Sequence, residues 1–335
     1  MHGKWISYNQ KFNDTTWPSG TYLFNYETKQ AVLLADPSAL SYGLQSTAIG
    51  DDRIVWSEYV DQMTIRDVTL YQMKFSDFLK VPLVISPTYK EYLRIVDEDL
   101  YFNGGTEGQP SKWDLYKIAK GSTVANFVSP KRSSPMSYVS VNQNRVALMV
   151  SMTQLNLIDM ANNSEATIVD GGRMKTTPVL TGDYLFWSDL SLSTDPAGSC
   201  GWSIFQYNLK TKEKITLKAS TGMNDYYALS AWKDWLLYQD TNEGAGPEGD
   251  EQYCYSSGAD SDVYLRYIPT GEEWNLSHHT GAQWAAMMDD HLVVWIDGRE
   301  KTGARLLNRD IYGVDLCMHP QLKDRFESCK AASAK

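Results

Sequence analysis

The chain is divided into short apolar runs that are bounded by polar and turn-forming residues. Clear examples are residues 53–58 (RIVWSE), 184–189 (YLFWSD) and 292–297 (LVVWID). Apolar runs this short, rich in Val, Ile, Phe, Tyr and Trp, predict β-strands, and no segment of useful length has the 3.6-residue period of an amphipathic helix. The pattern therefore predicts an all-β chain with almost no helix.

One of these runs recurs as a repeat in which an apolar strand leads to an aromatic residue and then to an acid. The strongest copies are 52–59, 183–190 and 291–298, and weaker copies lie at 3–10, 99–105, 145–151 and 234–241. The seven copies are spaced roughly 40–57 residues apart, and a repeat of this length is typical of a propeller or solenoid.

Further short strands surround each copy. A two-strand hairpin follows it, with turns such as Lys-Thr-Lys, Ala-Asn-Asn or Thr-Gly, and in most units one short strand precedes it. We therefore predict a seven-bladed β-propeller of four-stranded antiparallel blades, forming one domain over residues 1–335. The expected blades are approximately 1–36, 44–86, 91–129, 136–170, 176–220, 225–278 and 283–335.

The count has one irregularity, because there are seven second strands and only six first strands. Residue 1 begins almost inside the second strand of the first unit. Either one strand lies outside this chain, or the tail at 318–335 supplies it. Both alternatives remain open at this point.

The repeat, best seen as Gly-Asp-Asp-Arg-Ile-Val-Trp-Ser-Glu at 50–58, resembles the TolB-type, WD40-like (PD40) β-propeller repeat. The best copies are 50–58, 182–189, 262–277 and 289–316, and they lack the Gly-His and Trp-Asp dipeptides at the places where a WD40 repeat proper has them. The resemblance implies the propeller fold. Members of this class are often exported, some as binding scaffolds and some as polysaccharide lyases, so the resemblance says little about function.

The charge balance narrows the range of partners. The formal net charge is −10, and no run of Lys and Arg is longer than two. An acidic surface disfavours nucleic acid and anionic membrane surfaces, and no apolar run approaches the roughly 20 residues of a membrane span. We expect neither nucleic-acid binding nor membrane insertion, and a monomer unless the chain belongs to a larger assembly.

The four cysteines predict disulfides. They lie in polar, loop-like segments without a Cys-x-x-Cys motif, and we expect the pairs Cys200–Cys254 and Cys317–Cys329. Such bonds indicate an extracytoplasmic protein, whether secreted, periplasmic or at the cell surface. The first ten residues have no signal pattern, so a signal segment would lie outside this chain. Four free thiols would instead indicate an intracellular assembly subunit.

Acids occur where second strands end and third strands begin, on the face that also receives the connections between blades. They are Glu58, Asp67, Asp114, Asp189, Asp240, Asp262, Asp297 and Asp310. Because the position recurs in blade after blade, the interpretation that each acid caps its own loop outweighs that of a ligand-binding ring. We keep Asp240, Asp297 and Asp310 as candidate ligand-binding residues. Asp240 and Asn242 also form a weak, partial calcium-loop pattern, so Ca²⁺ is a possible cofactor.

Two more features on this face could carry chemistry. His278 and His279 lie in the connection between the sixth and seventh blades, and Tyr253 and Tyr255 lie in the long insertion 240–262. In an enzyme these would be the catalytic candidates, with a His or Tyr as the base. Their simpler interpretation is a solvated loop.

The loop of the seventh blade is basic on an acidic protein, with Arg299, Lys301, Arg305 and Arg309. Trp284 nearby could be a sugar platform or could pack between blades. A polysaccharide lyase needs a base and a cation that neutralises the substrate uronate, and these arginines could supply the cation.

The sequence thus favours an exported, non-enzymatic propeller that binds a protein or glycan through its loop face. A polysaccharide lyase or hydrolase is the alternative, and a subunit of a larger assembly is the second alternative.

Overall fold

The computed structural model of the chain describes residues 1–10, 20–35, 46–59, 68–84, 89–105, 113–128, 137–176, 178–194, 201–220, 224–242, 260–279, 281–298 and 310–333. The fold is a seven-bladed β-propeller, nearly all strand, as predicted. Its backbone groups into two compact units, residues 1–151 with 156–167, and residues 152–155 with 168–335.

Blades one to four lie wholly or mostly in the first unit. Their strands are β1 (Trp5–Gln10), β2 (Gly20–Asn25) and β3 (Gln30–Ala35); β4 (Thr47–Ile49), β5 (Arg53–Tyr59), β6 (Val68–Lys74) and β7 (Lys80–Val84); β8 (Tyr89–Val96), β9 (Asp99–Gly105), β10 (Trp113–Ile118) and β11 (Asn126–Phe127); and β12 (Ser137–Asn142), β13 (Arg145–Ser151), β14 (Gln154–Asp159) and β15 (Ser164–Val169).

Blades five to seven form the second unit. Their strands are β16 (Val179–Thr181), β17 (Tyr184–Asp189), β18 (Ser203–Asn208) and β19 (Lys214–Lys218); β20 (Asn224–Trp232), β21 (Trp235–Asn242), β22 (Asp260–Tyr267) and β23 (Glu273–Asn275); and β24 (Gln283–Asp289), β25 (Leu292–Asp297) and β26 (Asp310–Asp315).

The described strands reproduce the predicted shortage of first strands. Five sheets have four strands in sequence order, whereas the sheets of blades one and seven have three. In four of the five complete blades a long connection follows the second strand and a short turn follows the third, whereas in blade four only residues 152 and 153 join the second strand to the third. By the same pattern β1 is a second strand and β26 a third strand. The described part of the tail, residues 316–333, does not supply a strand. It forms 3₁₀ turns at Leu316–Met318 and Lys323–Arg325 and the short helix α1 (Glu327–Ser333).

The hydrophobic core lies between neighbouring blades. Leu70 and Leu93, for example, are fully buried in one cluster shared by blades two and three. Similar clusters join blades one and two, three and four, five and six, and six and seven. A blade buries its apolar faces only against its neighbours, which explains why the repeat must occur several times in one chain.

Short turns between third and fourth strands share one backbone design. In blades one and five the fifth residue of the turn, Lys29 or Lys212, has a positive φ, and its N–H donates to the carbonyl of Asn25 or Asn208. Each Asn side chain also accepts two N–H groups of its turn. In these two blades the predicted hairpin turns are therefore stabilised by a local asparagine side chain.

Candidate functional site

The end of each blade where second strands finish and third strands begin is called here the loop end. Antiparallel order brings the start of the first strand and the end of the fourth strand to the same end. Long connections and the links between blades therefore share it. The candidate residues Asp240, Asp297, Asp310, His278 and Trp284 all belong to the loop end of blades six and seven.

Most acids at the loop end are paired inside their own blade. The indole N–H of Trp56 donates to Glu58, that of Trp187 to Asp189 at 3.0 Å, and that of Trp295 to Asp297 at 3.3 Å. These three Trp side chains are buried in the core. The Trp-x-acid repeat is therefore a structural unit in which a buried indole finds its acceptor two residues along the strand.

Asp189 also holds its own loop, as the capping interpretation predicted. Its carboxylate accepts the N–H of Ser191 at 2.8 Å and lies 3.8 Å from the buried ammonium of Lys175. In the next blade Asp225 accepts the N–H groups of Gly201 and Trp202 at 2.7 and 2.9 Å. These buried carboxylates have architectural partners and need no ligand.

Asp240 departs from this pattern. A tyrosine, Tyr238, takes the place of Trp, and Asp240 Oδ1 is buried without a hydrogen-bond partner among the described residues. Directly across the sheet lies Asp262. Asp262 is occupied, since it accepts from Asn275 Nδ2 and Ser277 Oγ, both at 2.8 Å.

The surroundings of Asp240 disfavour its charge. Burial raises the pKa of Asp240 to about 6; the Lys218 ammonium opposes this, while the carboxylates of Asp262 and Glu273 add to it. A carboxyl group with this pKa changes its charge close to neutral pH.

Glu273 is the third acid of this group and is held as an ion. Burial by itself would raise its pKa, but hydrogen bonds from Lys218 and Arg266, both at 2.6 Å, lower it. Lys218 also lies 5.3 Å from the Tyr238 ring, which stacks on Tyr264. The blade-six acid cluster is hereafter Asp240, Asp262 and Glu273, and within it only Asp240 combines a raised pKa with an unpaired oxygen.

Blade seven contains a second buried polar group, which the sequence pattern did not reveal. Gln283 is fully buried at the start of β24, directly across from Asp297, and neither atom of its amide has a hydrogen-bond partner among the described residues. A buried amide without a partner costs on the order of 1–3 kcal/mol, so this position is suited to a bound water or ligand atom. A glutamine within a predicted strand gave no signal of this kind.

The remaining candidates at this end are more exposed. His278 and His279 are exposed in the connection from β23 to β24, where the His278 N–H donates to Asn275 Oδ1 at 3.0 Å. Asp310 is exposed and lies opposite Asp297. Trp284 is half-buried and packs beneath Gly298, where an added Cβ would lie 3.1 Å from the ring. This contact lies within blade seven.

Several candidates lie outside the described residues. They are Tyr253, Tyr255, Cys200, Cys254, Arg299, Lys301, Arg305 and Arg309. Asn242 closes β21 opposite Asp260 in the backbone register.

One group of three metal-capable side chains occurs in the described part of the chain, and it is not at Asp240. His291, Asp315 and Cys317 have ligand atoms within 4.8 Å of one another, at the opposite end of blade seven. Cys317 forms a disulfide with Cys329, the pairing expected from the sequence, so its sulfur is not a thiolate ligand in this state.

Comparison with known proteins identifies the fold and no family. No family model matches the chain, and no curated protein matches it. Among the described residues, no helix has the length and apolar character needed to cross a membrane.

Solved structures of propellers resemble the chain throughout. An oligogalacturonate lyase from Vibrio parahaemolyticus is 11% identical with a TM-score of 0.62, covering 94% of this chain and 87% of that one. The β-propeller domain of the Trilobed protease from Pyrococcus furiosus, described as having an open velcro topology, is 10% identical with a TM-score of 0.65, covering 94% and 93%. A putative TolB from Agrobacterium tumefaciens is 10% identical with a TM-score of 0.51, covering 77% and 88%. At these identities the likeness concerns the fold alone.

Proposed function

We propose that this chain is an extracytoplasmic, non-enzymatic binding propeller, whose partner is a protein that presents a basic side chain to the loop end of blade six. The observation that carries the proposal is the unpaired Oδ1 of Asp240. Corresponding acids Glu58 and Asp189 are occupied by indoles, loop N–H groups or lysine, whereas this oxygen has no hydrogen-bond partner in the described part of the chain.

The chemistry of the cluster favours a cationic partner group. Three carboxylates lie against two cations, Lys218 and Arg266, so an ammonium or guanidinium from a partner would offset the remaining negative charge. The net charge of −10 would also steer a basic partner towards this surface. The Cys317–Cys329 disulfide supports an oxidising compartment.

The test uses short Lys- and Arg-containing peptides and a panel of neutral glycans, each titrated calorimetrically into the full chain. We expect basic peptides to bind at neutral pH and Asp240→Asn to weaken that binding about tenfold, because a charge-assisted hydrogen bond is lost. Asp234→Asn is the matched control, since it removes the same charge at the other end of blade six.

Two results would count against this proposal. If neutral glycans bind and basic peptides do not, the ligand is a sugar. If Asp240→Asn and Asp234→Asn affect binding equally, general charge and not this site is responsible.

A polysaccharide lyase is the second candidate, favoured by the propeller likeness to an oligogalacturonate lyase and by the exposed pair His278 and His279 at the same end. Incubation with oligogalacturonate, followed by the absorbance of the unsaturated product, separates the two candidates. The binding proposal expects no product. Product that disappears in His278→Ala or His279→Ala would instead establish the lyase and assign the base.

A further inference from the structure

Four side chains that can bind a metal come together at the end of blade seven opposite to the loop end. His291 lies in the turn between β24 and β25, Asp315 ends β26, Cys317 lies in the first 3₁₀ turn, and Cys329 lies in α1. Ligand atoms of the first three lie within 4.8 Å of one another, and the Cys317 sulfur is bonded to that of Cys329. Sulfur, nitrogen and oxygen donors therefore lie close together beside the Cys317–Cys329 disulfide.

The imidazole of His291 is oriented like a metal ligand. Its Nδ1 lies 3.1 Å from an Asp290 oxygen and 3.0 Å from the Ser328 hydroxyl, while Nε2 faces Asp315 Oδ1 at 3.9 Å. A histidine that binds zinc commonly gives its other ring nitrogen to a carboxylate, which fixes the tautomer and the ring orientation. Asp290 can supply that carboxylate here.

We propose that reduction of the Cys317–Cys329 disulfide converts this group into a zinc site with Cys317, Cys329, His291 and Asp315 as ligands. A dithiol or phosphine reductant transfers two electrons to the S–S bond and, with two protons, leaves two thiols. Binding of Zn²⁺ then releases two protons as the thiols become thiolates.

The geometry requires only a small local adjustment. Tetrahedral zinc with Zn–S bonds of about 2.3 Å separates the two sulfurs to about 3.8 Å, and nitrogen and carboxylate ligands complete the set. The Cα atoms of the two cysteines lie 5.0 Å apart, and both belong to the tail, Cys317 in a 3₁₀ turn and Cys329 in α1.

The consequence is that the tail segment between the two cysteines is anchored in both the oxidised and the reduced protein. Leu322 and Phe326, which are buried against blades six and seven, lie between the two cysteines in the chain. The disulfide holds this segment under oxidising conditions, and zinc would hold it under reducing conditions. The site is independent of the proposed function, because it lies in blade seven at the end opposite to the loop end, whereas Asp240 lies at the loop end of blade six.

The experiment uses the full chain carrying Cys200→Ser and Cys254→Ser, so that Cys317 and Cys329 are the only thiols. After reduction with a phosphine, we expect one equivalent of Co²⁺ to give a thiolate charge-transfer band and the intense visible bands of a tetrahedral ion, and Zn²⁺ to displace it. Oxidised protein should give neither band. His291→Ala and Asp290→Asn should each weaken zinc binding by at least about tenfold, whereas His319→Ala, a tail histidine outside the group, should not.

A second measurement covers the case in which that background does not fold. In the reduced natural chain, Zn²⁺ should slow alkylation of Cys317 and Cys329 by iodoacetamide relative to Cys200 and Cys254, as read from peptide masses. Equal alkylation rates, no cobalt–thiolate band, or unchanged affinity in His291→Ala would overturn the proposal.

Discussion

Acids at equivalent strand positions have different interaction partners in different blades. Asp189 is buried and receives a loop N–H, an indole N–H and the charge of Lys175. Asp240 occupies the same place in blade six, but its Oδ1 has no hydrogen-bond partner among the residues that the structure describes, and its pKa is about 6. The partners of an acid, and not its position in the repeat, therefore separate architecture from a candidate site.

Replacement of Asp240 by Asn should stabilise the protein in a pH-dependent way. The pKa of Asp240 is higher in the folded chain than its ordinary value of 3.8, so the folded state binds the proton more tightly than the unfolded state. The natural chain should therefore lose stability relative to Asp240→Asn as the pH rises from about 4 through about 6. After discounting for partial exposure, we expect a difference of about 1 kcal/mol above this window and none below it.

Urea unfolding of both proteins from pH 3.5 to 8 measures this difference. Asp234→Asn, an exposed position in the same blade, serves as the control and should give a difference that does not change over the window. A constant difference for Asp240→Asn as well would contradict the explanation.

The sequence placed Asp240 among the acids of the loop end but could not show that it differs from the other acids there. Its strand position followed from the local repeat. Its isolation depends on Tyr238 replacing Trp, on Lys218 from the preceding blade and on Asp262 across the sheet. Two of these three contacts join segments that are distant in sequence, so a local pattern cannot supply them. Gln283 was missed for the same reason.

At the scale of elements, the strands could be predicted from the sequence, whereas the structure of the tail could not. Strands such as β5, β17 and β25 are buried along nearly their whole length between neighbouring blades, so each one appears in the sequence as a short continuous apolar run. The tail has no such run over its short 3₁₀ turns and single helix. Its anchor residues, Leu316, Leu322 and Phe326, are nevertheless as buried as the core strands.

Phe326 should be the main anchor of the tail. Its ring is 3% exposed and stacks on Trp235 with centroids 4.9 Å apart. We expect Phe326→Ala to destabilise the protein by about 3–5 kcal/mol, because the substitution leaves a cavity between blades six and seven.

Thermal and denaturant unfolding measure this cost. Met318→Ala is the matched control in the same tail, since Met318 is 81% exposed, and it should change stability by less than about 0.5 kcal/mol. Similar losses for the two variants would show that the tail contributes no specific packing.

At the scale of the whole molecule, stability is shared between neighbours. Each described cluster joins two adjacent blades, so a blade depends on the faces beside it. Repeat architectures of this kind distribute stability as nearest-neighbour terms. The number of blades followed from the sequence because the repeat is regular, whereas the way the terminal blades are completed did not.

A core substitution should therefore have a local effect on backbone protection. Leu100→Ala opens the cluster shared by blades two and three, where Leu100 is fully buried. We expect amide hydrogen exchange to accelerate in β4 to β11 much more than in β20 to β26. Uniform acceleration, measured by mass spectrometry of peptides, would instead indicate a single cooperative unit.

The position of the tail also imposes an order of events during synthesis. Trp235 and Trp295 share a cluster with Phe326 and Cys329, which leave the ribosome about 90 and 30 residues later than these two tryptophans, at roughly 5–20 residues per second. During those seconds the nascent chain exposes apolar indole surface that the tail does not yet cover. Protection of that surface by a chaperone would matter most just before translation reaches the tail.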